Sequence, residues 1–385
     1  MRIDFVITEL DPGGAERCLV EIAVGCHKRG DRVRVFSLGP RPQPPRDVLA
    51  RRLDAHGIET GFGDAQGVSD LRRTFIALRQ FVRSEPPELV QTFLFHANVL
   101  GTAAVCGLGR VPRRKMTDVA VVGGIRVAHR GMVRSMIERI AIARMQAVVG
   151  VSQGARRTAN ERLGGGGKTV VIGNAVDVTR FDDAVMWRPG EIGWPDDAII
   201  ATFVGRMDRQ KDVIGLLNLV DSIISGATAE NTANDRLRFL LVGDGHQSEA
   251  VDRKIARIGG DRVVRMGWTD NVAGVLRASR MLMLRSRYEG MPNVVLEAMA
   301  AGLPVVTTAV EGIGELFDPG DPQVVGDDLS FTDMVQRLAG DQAFASRLGQ
   351  QNRRRVVRHH STDAMVDAYR SLYRRIIDGD SPIAT

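Results

Sequence analysis

Cysteine is scarce in this sequence, which has three, Cys18, Cys26 and Cys106, among its 385 residues. Three cysteines at these spacings provide neither a disulfide framework nor a metal-ligand pattern. We therefore expect a cytoplasmic protein from a reducing compartment. Low-complexity sequence is also nearly absent, apart from the four glycines at 164–167, which predict a surface loop. The 44% of hydrophobic residues is ordinary for a globular chain, and the length predicts ~2–3 domains.

The first ten residues, MRIDFVITEL, are too short and too charged for a secretory leader, so we do not expect one. One uncharged run, residues 89–109, is long enough to span a membrane. This run contains several polar side chains and changes its hydrophobic period midway. A strand followed by a buried helix therefore explains the run better than a transmembrane helix does.

Charge is distributed unevenly along the chain. Residues 1–180 contain 28 basic and 17 acidic side chains, whereas the remainder contains 24 basic and 29 acidic ones. A basic first half indicates an anionic partner, which could be nucleic acid, an anionic bilayer or a phosphorylated acceptor. An arginine-rich proteome would produce the same imbalance without any such partner.

The first half of the chain alternates between predicted strands and helices. Short apolar runs predict buried strands at 2–7, 32–38, 88–94, 116–122, 147–152 and 169–174. The stretches between them predict helices, for example at 16–28, 68–82 and 132–145. This alternation predicts an α/β fold with a mostly parallel, doubly wound sheet, whose ligands bind beyond the carboxyl ends of the strands.

The same pattern restarts near residue 199, which indicates a second domain. Strands are predicted at 199–204, 239–242 and 263–267. We expect an N-terminal domain over residues 1–180, a linker rich in Pro, Gly, Trp and Asp over 181–197, and a C-terminal domain over 198–362. Residues 363–385 remain as a terminal helical segment.

The most informative stretch, residues 285–308, predicts a loop, a short helix, a second loop and a strand. Pro292 suits the first turn of the helix, and Gly302 suits the residue just past its end. The helix is apolar on almost every side except at Glu297, which we expect to be buried. A buried carboxylate needs hydrogen-bond donors, and ligand hydroxyls could supply them. An interior helix with one satisfied glutamate is the alternative.

A second carboxylate, Glu289, precedes Glu297 by eight residues and lies in the loop before the helix. If this loop folds over the helix N-terminus, the N–H groups of Gly290, Met291 and Asn293 would point toward both carboxylates. Helix N-termini bind phosphate and other anions. The combination of acceptors for hydroxyls and donors for an anion predicts a site for a sugar linked to a diphosphate.

Two other loops that follow predicted strands could bind phosphate. Gly13 and Gly14 open a helix, where backbone amides can approach an anion, although an ordinary turn explains them equally well. Arg206 and Lys211 flank a strand-to-helix turn and are well placed for a diphosphate. Solvated surface cations are the alternative for this second pair.

Three polar residues of the first half are predicted to reach a ligand cleft. His96 and Asn98 should lie where a strand ends and a helix begins, although a lone histidine there more often caps or packs than catalyses. Arg126 follows another predicted strand and is a candidate cleft cation. We regard Asn98 and Arg126 as candidates for contact with an acceptor substrate or with another ligand of the cleft.

The predicted helix at 132–145 is amphipathic and carries arginines outside its apolar face. Our expectation is that the apolar face packs on the core while a basic side is solvated. Interfacial binding to a membrane is the alternative. The apolar face consists of Val133, Met136, Ile137, Ile140 and Ala143.

Residues 286–306 read S-x-x-E-G-x-P-x-x-x-x-E-A-M-A-x-G-x-P-V-V. This pattern resembles the E-x7-E signature of the family-4 retaining glycosyltransferases, which have the GT-B fold. The loop around Gly14 resembles the G-G-A-E loop that faces the donor diphosphate in that family. Arg206 and Lys211 match its G-R-x-x-x-x-K motif, whose cations bind donor phosphates. The sequence VVIGNAVD at 170–177 resembles the V-I-P-N-G-V-D edge of the family's first domain, with two departures.

The resemblance implies two Rossmann-like domains that face a cleft, with the acceptor on the first domain and a nucleotide-diphosphate sugar on the second. It implies transfer with retention, in which Glu289 holds hydroxyls of the sugar and Glu297 those of the ribose. Pro292 and its neighbours would bind the donor. Arg206 and Lys211 would stabilise the leaving diphosphate. Because no D-x-D pattern follows a predicted strand, we expect neither a metal nor another cofactor.

Many members of the family carry a histidine near the donor sugar at the end of the strand that precedes His96. His96 is therefore a candidate catalytic residue, together with Glu289, Arg206 and Lys211. Phe93 is the other candidate for the position of the family's histidine. The resemblance also implies that the helix at 363–377 crosses back onto the first domain.

The implied activity belongs to the synthesis of a cell-envelope polysaccharide or glycolipid, with a glycan or lipid-linked acceptor. We expect no nucleic-acid partner, and we expect peripheral association with the anionic inner face of the cell membrane. Two alternatives stay open. One is a nucleotide-sugar epimerase of similar architecture, and the other is a non-catalytic module that binds nucleotide sugars.

Overall fold

A computed structural model describes residues 1–106, 119–126, 131–226 and 235–382. The chain divides into two compact units, each with one parallel sheet. Unit 1 comprises Met1–Asn174 and Thr362–Thr385, and unit 2 comprises Ala175–Ser361.

Unit 1 contains a seven-stranded sheet in which every pair of neighbours is parallel. Its strands are β1 Arg2–Ile7, β2 Arg32–Ser37, β3 Glu59–Phe62, β4 Leu89–Phe93, β5 Ala120–Ile125, β6 Ala147–Gly150 and β7 Thr169–Val171. They lie in the order β3-β2-β1-β4-β5-β6-β7. Strand β1 buries five of its six residues, as expected when helices cover both faces of a parallel sheet.

Six helices of unit 1 connect these strands, as a parallel sheet requires. They are α1 Gly14–Lys28, α2 Val48–Ala55, α3 Leu71–Ser84, α4 Phe95–Cys106, α5 Met132–Ile142 and α6 Gln153–Arg162. The uncharged run at 89–109 forms β4 and then α4, so the predicted strand and helix are confirmed as far as Cys106. Residues 107–109 of that run lie outside the described residues. No described helix combines the length and hydrophobicity needed to cross a membrane.

Unit 2 contains a six-stranded parallel sheet in the order β10-β9-β8-β11-β12-β13. Its strands are β8 Ile199–Val204, β9 Leu237–Val242, β10 Val263–Met266, β11 Met281–Leu284, β12 Val305–Thr308 and β13 Val324–Val325. Its helices are α7 Thr179–Asp182, α8 Val213–Ser225, α9 Ser248–Ile258, α10 Val272–Ala278, α11 Asn293–Ala300, α12 Asp328–Gly340 and α13 Gln342–His359. The two sheets confirm the predicted α/β class.

The last helix, α14 Thr362–Ile377, packs against α1 within unit 1. Gly25 of α1 permits the close approach, because a Cβ there would collide with Val366. The Tyr373 hydroxyl donates a hydrogen bond to Gln91 Oε1 at 3.0 Å. A buried hydrogen bond and a close helix contact thus tie the C-terminal helix to the first sheet.

Two sequence predictions about this architecture are corrected. The stretch 181–197 was expected to be a linker, but Trp187 and Trp194 are buried against Ile200 and Leu240 in the core of unit 2. Burying two large indole rings stabilises this segment as part of the unit. The strand expected at 116–122 is β5 and continues to residue 125, while its predicted start at 116–118 lies outside the described residues.

Candidate functional site

The strand order reverses once in each sheet. In unit 2 the chain runs outward from β8 to β9 and β10, and then continues on the other side of β8 with β11, β12 and β13. In unit 1 the same reversal falls between β1 and β4. Ligands of doubly wound sheets bind at such a switch point, beyond the carboxyl ends of the two strands. The loops after β8 and β11, and those after β1 and β4, are therefore the first places to search.

In unit 2, an ion pair joins the loops after β8 and β11. Lys211 Nζ donates to Glu289 Oε1 at 2.6 Å, and Ser286 Oγ donates to the same oxygen at 2.6 Å. The two charged side chains are 13% and 6% exposed. The structure thus brings together two residues that the sequence assigned separately to phosphate and to sugar. It places them at the switch point of the second sheet.

Hydrogen bonds to backbone carbonyls hold the same two loops together. Arg287 N–H donates to the Gln210 carbonyl at 2.8 Å, and Gln210 Nε2 donates to the Tyr288 carbonyl at 3.1 Å. The loop after β12 packs closely on the loop after β11, because a Cβ at Gly312 would collide with the carbonyl oxygen of Gly290. These contacts hold the loops after β8 and β11 rigidly together, and this pair of loops, which carries the charged groups, is here termed the frame.

Arg206 is the most accessible cation of this frame. Its side chain is 71% exposed, and it lies 3.4 Å from an Asp208 carboxylate oxygen. It also donates to Gln210 Oε1 at 3.2 Å. An ion pair at this exposure is weak, so the guanidinium can exchange its present partners for a ligand anion.

The sequence prediction missed Asp212, which organises the arginines beside the ion pair. Its carboxylate accepts hydrogen bonds from Arg285 and, at 2.8 Å, from Arg287. Asp212 has a φ of 50°, and such a left-handed conformation is costly for a residue with a Cβ. Its position directly after Lys211 was visible in the sequence, but its backbone conformation was not.

The helix that follows Glu289 begins at Asn293, with Gly290, Met291 and Pro292 buried immediately before it. One expectation about this helix was wrong, because Glu297 is partly exposed rather than buried. The neighbouring apolar residues turn inward, which leaves Glu297 at the edge of the helix. Among the described residues, its carboxylate has no hydrogen-bond partner.

In unit 1, Gly14, His96 and Asn98 lie at the starts of the helices that follow β1 and β4, and Arg126 follows β5. Gly14 is exposed and begins α1, while Glu16 folds back over Gly13, where a Cβ would collide with it. Leu94, between β4 and α4, has a φ of 73°. Two of the three non-glycine residues with positive φ in the described chain, Leu94 and Asp212, therefore lie in switch-point loops. Backbone strain of this kind concentrates at functional sites.

His96 and Phe93, the two candidates for the family's histidine position, have opposite environments. Phe93 is fully buried, whereas His96 is exposed on the first turn of α4. Partial desolvation, followed by the positive charge of Arg134, lowers the pKa of His96 below its ordinary value. Both effects favour the neutral imidazole, which can accept or donate a hydrogen bond.

Asn98, a predicted acceptor contact, is fully buried and bonded within the protein. Its side chain donates to Glu138 Oε1 at 2.9 Å and to the Gly124 carbonyl at 3.2 Å, and it accepts from Thr92 Oγ1 at 2.7 Å. Burial raises the pKa of Glu138, while the Asn98 hydrogen bond and the charge of Arg134 oppose that rise. This network gives Asn98 a structural role in fixing the turn that carries His96.

Arg126, the other predicted cleft contact, is also buried. Its guanidinium donates to Asn174 Oδ1 at 2.7 Å and to the Tyr369 hydroxyl at 3.0 Å, and it stacks 4.4 Å above the Phe93 ring. These contacts connect β5 to α14 through the core of unit 1. They make Arg126 a structural cation in this structure rather than an exposed cleft residue.

Metal ligands are not grouped anywhere in the described ranges, since no cluster of three His, Cys, Asp or Glu side chains is found there. The cations of the frame around Lys211 are the groups that could balance a ligand's negative charge. Metal independence stays a prediction.

Two family models match the chain, each over most of one unit's sheet. Residues 12–180 match Glycosyltransferase Family 4, and residues 198–341 match Glycosyl transferases group 1. The second match includes both loops that carry Lys211 and Glu289. The first includes Gly14 and His96.

Known proteins share both sequence and fold with this chain. It is 30% identical to lipopolysaccharide core biosynthesis glycosyltransferase LpsD of Rhizobium meliloti over 51% of this chain and 55% of that protein. It is 27% identical to UDP-Gal:alpha-D-GlcNAc-diphosphoundecaprenol alpha-1,3-galactosyltransferase of Escherichia coli over 54% of each chain. The matches thus span about half the length of these relatives.

Among solved structures, HepE of Anabaena in complex with UDP-glucose matches with a TM-score of 0.76 and 18% identity. The alignment covers 96% of this chain and 100% of that one. At this identity, the likeness establishes the fold alone.

Replacing Lys211 with methionine should lower the free energy of unfolding by about 1.5–3 kcal/mol, because Glu289 would lose its charged donor in a buried position. The double variant with Glu289→Gln should lose less than the sum of the two single variants, with a coupling of about 0.5–3 kcal/mol. Urea unfolding of the four proteins measures both quantities.

Lys254→Met is the matched control, because Lys254 pairs with Asp221 at 2.9 Å in a more exposed position of the same unit. Its loss should stay below about 1 kcal/mol. Strict additivity of Lys211→Met and Glu289→Gln would contradict an energetically coupled pair.

Proposed function

The chain belongs to the family-4, group 1 glycosyltransferases, and from that membership we propose that it transfers a sugar from a nucleotide-diphosphate sugar to an acceptor. Its two parallel sheets are those of the GT-B fold. The observation that carries the proposal is the pair Lys211–Glu289, which joins a cation and a carboxylate at the switch point of unit 2.

The pair suits both halves of such a donor. Breaking the bond between the anomeric carbon and the phosphate oxygen leaves negative charge on the departing diphosphate. Lys211 uses one of its three N–H donors on Glu289, so its ammonium keeps two donors for phosphate oxygens. Arg206, exposed on the same loop, adds a second cation. The start of α11, after Pro292, adds the positive end of a helix dipole.

Glu289 would act on the sugar and Glu297 on the ribose. Glu289 accepts from Lys211 and Ser286 through one oxygen. Within the part of the chain that the structure describes, its other oxygen has only a long contact of 3.5 Å with Gln210. That second oxygen is suited to accept a sugar hydroxyl. Glu297 is partly exposed without a partner in the described chain, so it can accept two ribose hydroxyls.

The acceptor would bind through unit 1. His96 is exposed beside the switch point of that sheet, and Gly14 is exposed across the same switch point, at the end of the loop after β1. The neutral state favoured for His96 suits hydrogen bonding to the reacting sugar. We propose that transfer proceeds with retention, by attack of the acceptor hydroxyl on the face that the diphosphate leaves. The proton of the acceptor hydroxyl passes to the departing phosphate oxygen, and no metal or other cofactor takes part.

The acceptor class follows from relatives and from charge. The Escherichia coli relative carries a diphosphoundecaprenol acceptor in its name, and LpsD is named for lipopolysaccharide synthesis. Residues 1–180 of this chain hold 28 basic against 17 acidic side chains. We propose a glycan or lipid-linked acceptor of the cell envelope, and peripheral association of the enzyme with the anionic inner face of the membrane.

Arg206→Ala should weaken binding of a nucleoside diphosphate by at least about tenfold, since a charge-assisted contact contributes ~1.5–3 kcal/mol. Binding of the corresponding nucleoside should change little. Isothermal titration calorimetry measures both affinities. Arg253→Ala is the control, because Arg253 is comparably exposed on α9 of the same unit. Unchanged diphosphate affinity in Arg206→Ala would remove this loop from the donor site.

Replacing Glu297 and replacing Glu289 should change kcat and KM in different ways. Glu297→Gln should raise KM for the donor and spare most of kcat, because the ribose does not react. Glu289→Gln should lower kcat more than it raises KM, since the sugar becomes oxocarbenium-like in the transition state. It should also lower Tm, because the ion pair with Lys211 is lost.

Product analysis in the same assays decides between reaction classes. Transferred sugar supports a glycosyltransferase, an isomerised donor would indicate an epimerase, and bound but unaltered donor would indicate a binding module. Two destabilised glutamate variants with normal activity per folded molecule would reduce residues 285–308 to a structural role.

A further inference from the structure

Helix α5 presents its apolar side to solvent. The sequence predicted that this side would pack on the core, and that expectation was wrong. In the rest of the described chain, every other helix exposes at most one large apolar side chain. Helix α5 exposes five, which are Met132 at 85%, Val133 at 68%, Met136 at 63%, Ile137 at 38% and Ile140 at 54%.

These five side chains form one continuous stripe, here termed the α5 stripe. At ~100° per residue they occupy an arc of about 140° along roughly two and a half turns of helix. The opposite side of α5 is buried and includes Glu138, Ala141 and Ile142. The helix therefore has the amphipathic pattern of a core helix but the reverse orientation, with a carboxylate inward and the apolar stripe outward. An exposed apolar stripe of this size indicates an interaction surface.

Basic side chains border the α5 stripe. Arg139 is exposed on the helix, and Arg144 is exposed just beyond its end. The one acidic residue of α5, Glu138, is buried and accepts from Asn98, so it does not neutralise the rim. An apolar stripe with a basic rim is complementary to a bilayer with anionic head groups.

We propose that the α5 stripe is the surface through which this protein docks onto an anionic bilayer. The proposal deepens the peripheral association described above and rests on the proposed transfer to a membrane-borne acceptor. A second copy of the chain is a poorer occupant, because a symmetric contact through the stripe brings Arg139 and Arg144 of both copies together. The bilayer satisfies the same arginines with phosphate groups.

The inner side of α5 connects the docking surface to the acceptor region. Arg134 stacks 4.3 Å above the Phe95 ring at the start of α4, and Glu138 binds Asn98 one turn later. Ser135 and Glu138 also line a small cavity at the carboxyl ends of β4 and β5. One helix diameter, ~10–12 Å, thus separates the stripe from that cavity. Docking through the stripe holds the switch point of unit 1 at the depth of lipid head groups.

This geometry specifies the acceptor class more closely. An acceptor with its lipid chain in the bilayer and its phosphate or sugar at the head-group level would reach the loops after β1 and β4 without leaving the membrane. A soluble glycan would gain nothing from the α5 stripe. The structure therefore favours a lipid-linked acceptor over a free glycan.

Co-flotation with vesicles tests the proposal. Full-length protein is mixed either with equimolar phosphatidylglycerol and phosphatidylcholine or with phosphatidylcholine alone, at low and high salt. We expect strong binding to the anionic vesicles at low salt and weak binding in the other three conditions. The double variant Met136→Ser, Ile140→Ser should partition into anionic vesicles at least about tenfold more weakly, because two apolar side chains no longer insert. Both positions are solvent-exposed, so the fold should be preserved.

Leu329→Ser is the matched control, because Leu329 is 71% exposed on α12 of unit 2. It should bind vesicles like the unaltered protein. Equal vesicle binding by the double variant and the control would overturn the proposal. So would a concentration-dependent dimer in sedimentation velocity that the double variant abolishes while vesicle binding persists.

Donor binding separates failure of this inference from failure of the proposed function. The double variant should bind the nucleoside diphosphate as the unaltered protein does, because the α5 stripe lies in unit 1 and the phosphate loops lie in unit 2. Normal diphosphate binding without any vesicle binding would overturn the docking surface alone. Vesicle binding without diphosphate binding would instead contradict the glycosyltransferase assignment.

Discussion

The ion pair between Lys211 and Glu289 is the interaction on which the proposed chemistry depends. It joins the loop after the first strand of the second sheet to the loop after that sheet's fourth strand, where the strand order reverses. Parallel strands place these loops side by side, and the hydrogen bonds of Gln210 with Arg287 and Tyr288 hold them together. In the proposed function, the pair would fix the carboxylate for a sugar and leave ammonium donors for a diphosphate. One contact would then combine the orientation of the reacting sugar with stabilisation of its leaving group.

The sheet of unit 1 also has a switch point, but the residues beside it differ in chemistry from those of unit 2. Its switch point carries glycines, a strained Leu94 and an exposed His96 whose lowered pKa favours the neutral imidazole. The buried network from Asn98 to Glu138 connects that turn to α5. Helix α5 then turns its apolar side outward. Under the two proposals, unit 2 supplies charged groups to the donor and unit 1 supplies an apolar stripe to the membrane that carries the acceptor.

The sequence predicted much of this arrangement. Alternating periodicity predicted both sheets. The residue patterns assigned Lys211 to phosphate and Glu289 to a sugar separately, and only the family resemblance placed both at the donor. The predictions from sequence failed where tertiary packing overrides the local sequence pattern. The period of α5 indicates an apolar face but not its direction, so the stripe was assigned to the core. Trp187 and Trp194 lie in a sequence with the composition of a linker, yet they pack into unit 2. The partners of Arg126 and Asn98 come from distant strands and helices, which no local pattern encodes.

The most direct test of the central claim is a crystal structure with the nucleoside diphosphate that raises the thermal stability of the protein most. We expect the two phosphates within hydrogen-bond distance of Arg206 and Lys211, next to the Glu289 carboxylate and the start of α11. Phosphates bound away from the loops after β8 and β11, with the Lys211–Glu289 pair left untouched, would contradict the account.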